Sequence, residues 1–357
     1  MKKKIILFFV LCFIFSAQTG FAQSNYNIDS IEQHIDKYLQ YFSGNNPGAV
    51  VAVMKKGDMV FNKAYGLSNV EQDKMLKNNE AFNLANLSKM FTAMAIFQLA
   101  EKNKLSLNQP MTEIFLDFPA YGQEIKIKHL IHHTSGLPDF EPDEIKTNQA
   151  VLDFLKTQKE TKYVPGEEWG YSNADYPLLV RIIEEVSGKS YKEYMAKRIF
   201  KKIKTNQVFF VENLDDYSEV AAGHIKEDDQ YMVTHEQNMI YGEHGIYMTS
   251  EDFAKWDKAL YTDRLLDCNN LTDFFSRGKL NNGEYISSYY GNGLVIMKRN
   301  DERYWWHGGS GNGYTNMYLH LPNHELTVLI LSNRQDGYDF LKMAIYIAKE
   351  FEKEIKL

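Results

Sequence analysis

Cysteine is nearly absent from this chain. Of 357 residues only two are Cys, and Cys12 lies within an N-terminal run that reads as a leader. The mature chain would keep Cys268 alone and form no internal disulfide, so an oxidising compartment is allowed but not exploited. An excess of basic charge is also missing. Lys and Arg total 40 against 47 Asp and Glu, for a net charge of -7, and Lys and Glu are interspersed, which leaves no basic face for nucleic acid. After the first residues no run is apolar enough to span a bilayer, which takes about 20 residues. There is no internal repeat and no low-complexity linker. His129, His132 and His133 lie close together, but no carboxylate or Cys stands at a recognised ligand spacing from them, so neither a metal nor a cofactor is expected.

What is present begins with residues 1–22, MKKKIILFFVLCFIFSAQTGFA. A Lys-rich start leads into a short apolar run that ends with small residues at Gly20 and Ala22. That order predicts a cleaved secretory signal with Gln23 as the first mature residue; an uncleaved anchor is the alternative. No lipobox-like Leu-Ala-Gly precedes Cys12, so lipid attachment is not expected. Export would place the protein in the periplasm or outside the cell, with no stable membrane span after cleavage. A mature chain of about 335 residues exceeds the usual size of one core, so either one large domain or two interleaved lobes is expected.

Residues 27–42 place Ile28, Ile31, Ile35, Leu39 and Phe42 at helical spacing, with Asp29 and Glu32 as a capping pair. PGAVVAVMKKGDMVFNKAYG, 47–66, reads as a hairpin around Lys55-Lys56-Gly57-Asp58. A helix runs from Asn86 to about Lys102, with Leu87, Met90, Met94 and Leu99 as a buried stripe. In 176–200, Gly188 ends one helix and Ser190 caps the next. YISSYYGNGLVIMKR, ERYWWHGGS, TNMYLHLP and LTVLILSNR read as consecutive strands, and a last helix covers about Tyr338 to Lys353. The sheet must therefore draw strands from both chain ends. The fold class is α/β of the α+β type: a mainly antiparallel sheet flanked by helices, with an inserted helical lobe at roughly 85–240.

Four local signals bear on chemistry. Asn86-Leu87-Ser88-Lys89 opens a helix, where free amides and the dipole favour an anion; equally, Asn86 could be a cap and Lys89 a solvated charge. Tyr171-Ser172-Asn173 follows a Pro-Gly turn, and a phenol can act as acid or base only if a nearby cation lowers its pKa from about 10. Alone, the tripeptide reads as an ordinary loop. His307-Gly308-Gly309 could bring a ligand close to backbone beside a donor imidazole, or could be a hairpin turn. In HHTSGLPDF, 132–140, Thr134 and Ser135 read as turn hydroxyls rather than a nucleophile elbow.

Three of these signals occur in the order Lys-bearing helix, Tyr-x-Asn, His-x-Gly. With LANLSKMFTAMAIFQLAEKNKLSLNQP, IKIKHLIHHTSGLPDF, PGEEWGYSNADYPLLVRIIEEVSGKSY, GEHGIYMTSEDFAKW, HGGSGNGYTNM and LTVLILSNR, the chain resembles the serine β-lactamase and penicillin-binding protein superfamily. The likeness is strongest to the class C β-lactamase-related group, which also holds D-amino-acid peptidases and esterases, and it covers almost the whole mature chain. It implies that Lys89 is the proton-relay lysine and Tyr171 the general acid/base. It also implies that Asn173 orients the substrate and that His307 and Gly309 form the strand edge facing it. The Ser of the family's Ser-x-x-Lys falls on Asn86, whereas Ser88 matches a second Ser of that motif.

A carboxamide has a delocalised nitrogen lone pair, so no ordinary acyl-enzyme can form at Asn86. Ser88, two residues on, is rotated about 200° away on a helix and points elsewhere. Retained groups without the nucleophile could still give about 10³ to 10⁴-fold acceleration over water. The expected ligand is a small molecule or peptide with an acyl or carboxylate group, recognised without bonding or hydrolysed slowly by water activated through Tyr171 and Lys89. Trp169, Tyr241 and Tyr314 could line the cleft or simply pack.

Overall fold

A computed structural model describes residues 26–141, 144–210, 219–234 and 240–357. The expected signal segment and Cys12 lie outside the described residues. The first helix, Ile28–Tyr38, is capped by the Asn27 side chain, which accepts from Ser30 N–H. The expected pair Asp29 and Glu32 does not cap it: Asn27, two residues before Asp29, is the N-cap, and its short amide reaches the orphan N–H.

The main sheet has six strands in the order Val295–Arg299, Glu302–Gly311, Tyr314–Leu321, Leu326–Ser332, Ala49–Lys55, Asp58–Tyr65. Every neighbouring pair is antiparallel, and the two chain ends meet where Ala49–Lys55 pairs with Leu326–Ser332. Period-two alternation divides these two central strands between two cores. Val51, Val53, Val328 and Ile330 face the first and last helices, Ile28–Tyr38 and Phe340–Phe351, which meet through stacked Tyr38 and Tyr346 rings 4.0 Å apart. Val50, Ala52, Leu329 and Leu331 belong to the larger core with the central helices. Burial on both faces explains why these strands read as continuous apolar runs.

YISSYYGNGLVIMKR is strand only at Val295–Arg299. Upstream, Tyr289 and Gly293 take positive φ, 62° and 77°, and break the extended run. The middle of the chain also holds short strands that were not expected, Phe82–Asn83, Val208–Phe209 and Tyr247–Met248 in one sheet and a hairpin at His224–Val233. No helix among the described residues is long and apolar enough to cross a membrane.

The Ser88–Glu101 helix carries no single buried stripe. Ser88 through Leu99 are all buried, as befits a helix enclosed on every side. It packs against Asp175–Ser187, which ends in left-handed Gly188 and is followed by a capping box of Ser190 and Glu193. This pair of helices and the Glu302–Gly311 strand position the site.

Candidate active site

The segment before the central helix is held from several sides. Leu84 N–H donates to Ile246 O at 2.8 Å, Asn316 Nδ2 donates to Asn83 O at 2.8 Å, and Ala85 N–H donates to Asn83 Oδ1 at 2.9 Å. Together they hold buried Ala85 at φ 46°, a left-handed conformation that costs a non-glycine residue about 1–2 kcal/mol. The turn presents Asn86 to the edge of the Glu302–Gly311 strand. A β-carbon at Gly309 would lie 2.7 Å from Leu84 O and 2.9 Å from Asn86 N, so only glycine lets strand and turn approach this closely.

Asn86 makes two hydrogen bonds across this junction. Its Nδ2 donates to Tyr171 Oη at 3.0 Å, and its Oδ1 accepts from Ser310 N–H at 3.2 Å. The carboxamide thus spans from the phenol to a backbone donor on the strand, and its oxygen occupies the place where that donor could hold a ligand carbonyl.

Lys89 lies one turn further in and is completely buried. Its ammonium donates to Glu243 Oε2 at 3.0 Å and lies 5.1 Å and 5.3 Å from the ring centroids of Tyr171 and Tyr176. Burial alone would lower its pKa, but the Glu243 carboxylate and the Tyr171 phenol outweigh that and hold it above the usual lysine value. Lys89 is therefore a fixed cation rather than a free base. Glu243 escaped the sequence reading, although it stands between glycines in the quoted GEHG. The signal was Gly242 at φ 105°, where a β-carbon would meet Tyr176 O at 2.5 Å. That contact brings the loop against the Asp175–Ser187 helix and so delivers Glu243 to Lys89.

His307 is buried beside the same charge. Its Nδ1–H donates to Gly308 O at 2.6 Å, which leaves Nε2 to accept from Tyr290 Oη at 3.3 Å. Burial first, then the Lys89 charge, push its pKa down to about 4, so it is a neutral imidazole at physiological pH. Tyr290 was not anticipated either; it lay within the expected strand that proved irregular.

Behind Tyr171 lies a second buried pair. His133 Nδ1 is 2.8 Å from Asp175 Oδ2, and both side chains are inaccessible. Ser135 Oγ donates to Asp175 Oδ1 and accepts from Leu137 N–H at 3.1 Å, so it is a turn hydroxyl with a carboxylate partner. The His133 ring stands 4.4 Å from that of Tyr171. Burial pushes His133 well down and Asp175 well up, favouring the uncharged form of each. The three neighbouring histidines diverge: His129 pairs with Asn281, His132 with Asn292 and His133 with Asp175.

Asn86, Lys89, Tyr171, His307 and Gly309 are thus gathered at one junction. Asn173 is joined to it only through the chain, with an exposed side chain and its N–H donating to Asp139 Oδ1 at 3.3 Å. Ser88 is fully buried and its Oγ has no partner. Among the aromatics, Tyr314 is buried with its hydroxyl on Ala221 O, Tyr241 packs between Tyr191 and Phe210, and Trp169 is partly exposed.

The family model described as Beta-lactamase matches residues 28–351. The chain belongs to this family. Penicillin-binding protein 4* of Bacillus subtilis (strain 168) is 31% identical over 330 residues, covering 85% of this chain and 71% of that protein. Protein flp of Staphylococcus aureus (strain N315) is 25% identical over 325 residues, covering 86% of this chain. The chain spans 64% of flp's own length. Among solved structures, the octameric penicillin-binding protein homologue from Pyrococcus abyssi superimposes with a TM-score of 0.77 at 26% identity, over 90% of this chain and 77% of that one. FmtA from Staphylococcus aureus, also at TM-score 0.77, is 22% identical over 92% and 90% of the two chains and shows the shared fold. The mixed α/β architecture with antiparallel sheets flanked by helices is that of this family.

Proposed function

We propose that this is an exported member of the β-lactamase family whose cleft recognises acyl or peptide-type ligands without forming an acyl-enzyme. The observation that carries this reading is the Asn86 carboxamide bridging Tyr171 Oη and Ser310 N–H. An amide at the attacking position has no nucleophilic lone pair, while its oxygen takes the donor that would otherwise polarise a carbonyl.

The surrounding charge supports recognition. Lys89 and Glu243 neutralise each other, and Tyr171, 41% exposed, is the group that an incoming ligand meets. A carbonyl or carboxylate that displaces the Asn86 oxygen would accept from Ser310 N–H and bond Tyr171. Asn173, His307 and Gly309 are assigned here to the ligand-facing edge. Two relatives are a penicillin-binding protein and a homologue of one, which agrees with a carbonyl-bearing ligand.

Slow hydrolysis is the second reading, and the observation that favours it is the Lys89 ammonium 5.1 Å from the Tyr171 ring centroid, which sets a cation beside a phenol that could pass protons between water and substrate. Titration calorimetry with N-acylated D-alanyl peptides, alongside product analysis, tests both. The recognition reading expects saturable binding that weakens in Tyr171→Phe, with no product. Product formation abolished by Tyr171→Phe would establish hydrolysis instead, and absence of binding would refute both.

A further inference from the structure

A cavity of about 650 Å³ opens on the far side of His132, lined by Lys128, Arg277, Lys279 and Tyr285, with Asp273 as its one acid. Three cations face one carboxylate in a protein whose net charge is -7. None of the three forms an ion pair among the described residues. Burial pushes His132 down to about 4, so the imidazole adds no charge to the wall.

The cations are held in place without being neutralised. Arg277 donates one N–H to Ile286 O at 2.7 Å, and its guanidinium carbon lies 4.9 Å and 4.3 Å from the ring centroids of Tyr285 and Tyr289. Its Nε is buried and has no acceptor. The Lys279 ammonium lies 5.0 Å from the Tyr285 ring centroid. Stacking on tyrosine orients a cation but leaves its hydrogen-bond donors open. The loop that carries Arg277 and Lys279 is fixed at its tip, where Asn281 N–H donates to Gly166 O at 2.8 Å, Asn281 Nδ2 donates to Pro165 O at 2.8 Å and Asn281 Oδ1 lies 3.2 Å from His129 Nε2.

We infer that this cavity binds a small anion carrying two or more negative charges as phosphate or carboxylate groups. The volume falls in the usual range for a small-molecule site, about 300–1,000 Å³. Arg277 and Lys279 would hold one charged group above Tyr285, and Lys128 would meet a second from the helix side. This site is separate from the Asn86 junction, and its ligand need not be the one recognised there.

Titration calorimetry with pyrophosphate and with citrate at low ionic strength tests the inference on the intact protein. The expected result is saturable one-to-one binding of at least one of them, weakened by salt and about tenfold by either Arg277→Gln or Lys279→Gln, the loss of one charge-assisted contact. Lys353→Gln, just past the end of the last helix, should leave it unchanged. Preference for pyrophosphate or citrate would identify the charged group. Lys279 is exposed, so its variant keeps the test decisive if Arg277→Gln fails to fold. No saturable binding, equal weakening by Lys353→Gln, or binding confined to phosphatidylglycerol vesicles would overturn the inference.

Discussion

The cleft under Asn86 and the cavity beside His132 handle charge in opposite ways. In the cleft, the Lys89 cation is matched by the Glu243 carboxylate, both of them buried, and His133 and Asp175 are paired behind Tyr171 in forms that burial keeps uncharged. In the cavity, Lys128, Arg277 and Lys279 line one open space, and none forms an ion pair among the described residues. Charge buried in matched pairs resists change, because removing one partner strands the other. Charge left open on stacked tyrosines costs little to keep and is available to a ligand. The first arrangement keeps a fixed polar shape around Asn86; in the second, Arg277 is tied to Ile286 O and stacked on tyrosine, while exposed Lys279 is held by its stacking on Tyr285.

The most severe way to break this contrast is Glu243→Gln. It leaves the Lys89 cation buried and unmatched, and urea unfolding should show a loss of about 3–5 kcal/mol. Combining it with Lys89→Met should recover most of that loss, because the stranded charge is then removed as well. Equal losses in the single and double variants would mean that the ion pair is incidental.

Acid is a milder probe. The unfolded imidazole takes up a proton below about pH 6.5, whereas folded His307 does so only near pH 4. Between those values protons favour the unfolded chain, so His307 contributes stability that falls as pH is lowered from about 6.5 to about 4, by about 1.4 kcal/mol per pH unit. His307→Gln should flatten the dependence of Tm on pH in this window; an unchanged slope would show that His307 is not held neutral.

Smaller still is the effect of Lys279→Gln on stability. It breaks no ion pair, so the change should stay within about 0.5 kcal/mol, even though anion binding falls. A larger loss in urea unfolding would make the cavity cations structural, like those of the cleft.

Much of this was legible in the sequence because it rests on local chemistry. The hairpin announced itself through Lys56-Gly57, the mid-chain helix break through left-handed Gly188 and the Ser190 box. The order of elements, a hairpin near the start and a run of strands near the end, predicted a sheet drawing strands from both chain ends, as the pairing of Ala49–Lys55 with Leu326–Ser332 shows. Asn86, Lys89, Tyr171, His307 and Gly309 were found by motif order. What sequence could not supply was partnership across distance. Glu243 is 154 residues from Lys89 and Asp175 is 42 from His133, and no periodicity connects either pair. The Ser310 N–H contact to Asn86 depends on strand register and on a missing β-carbon at Gly309. The cavity was equally hidden, since its cations are scattered between 128 and 279, and Tyr285 and Tyr289, on which Arg277 stacks, fall in a stretch that read as strand but is irregular.

The central claim is that the Asn86 carboxamide holds the attacking position without reacting. Intact-mass spectrometry after incubation with a fluorophosphonate and with a penicillin, performed side by side on the unaltered protein and on Asn86→Ser, tests it most directly. The account predicts no mass change in the unaltered protein and a single adduct in the serine variant, where a hydroxyl replaces the amide beside Tyr171 and Lys89. A stable adduct on the peptide containing Asn86 in the unaltered protein would contradict it.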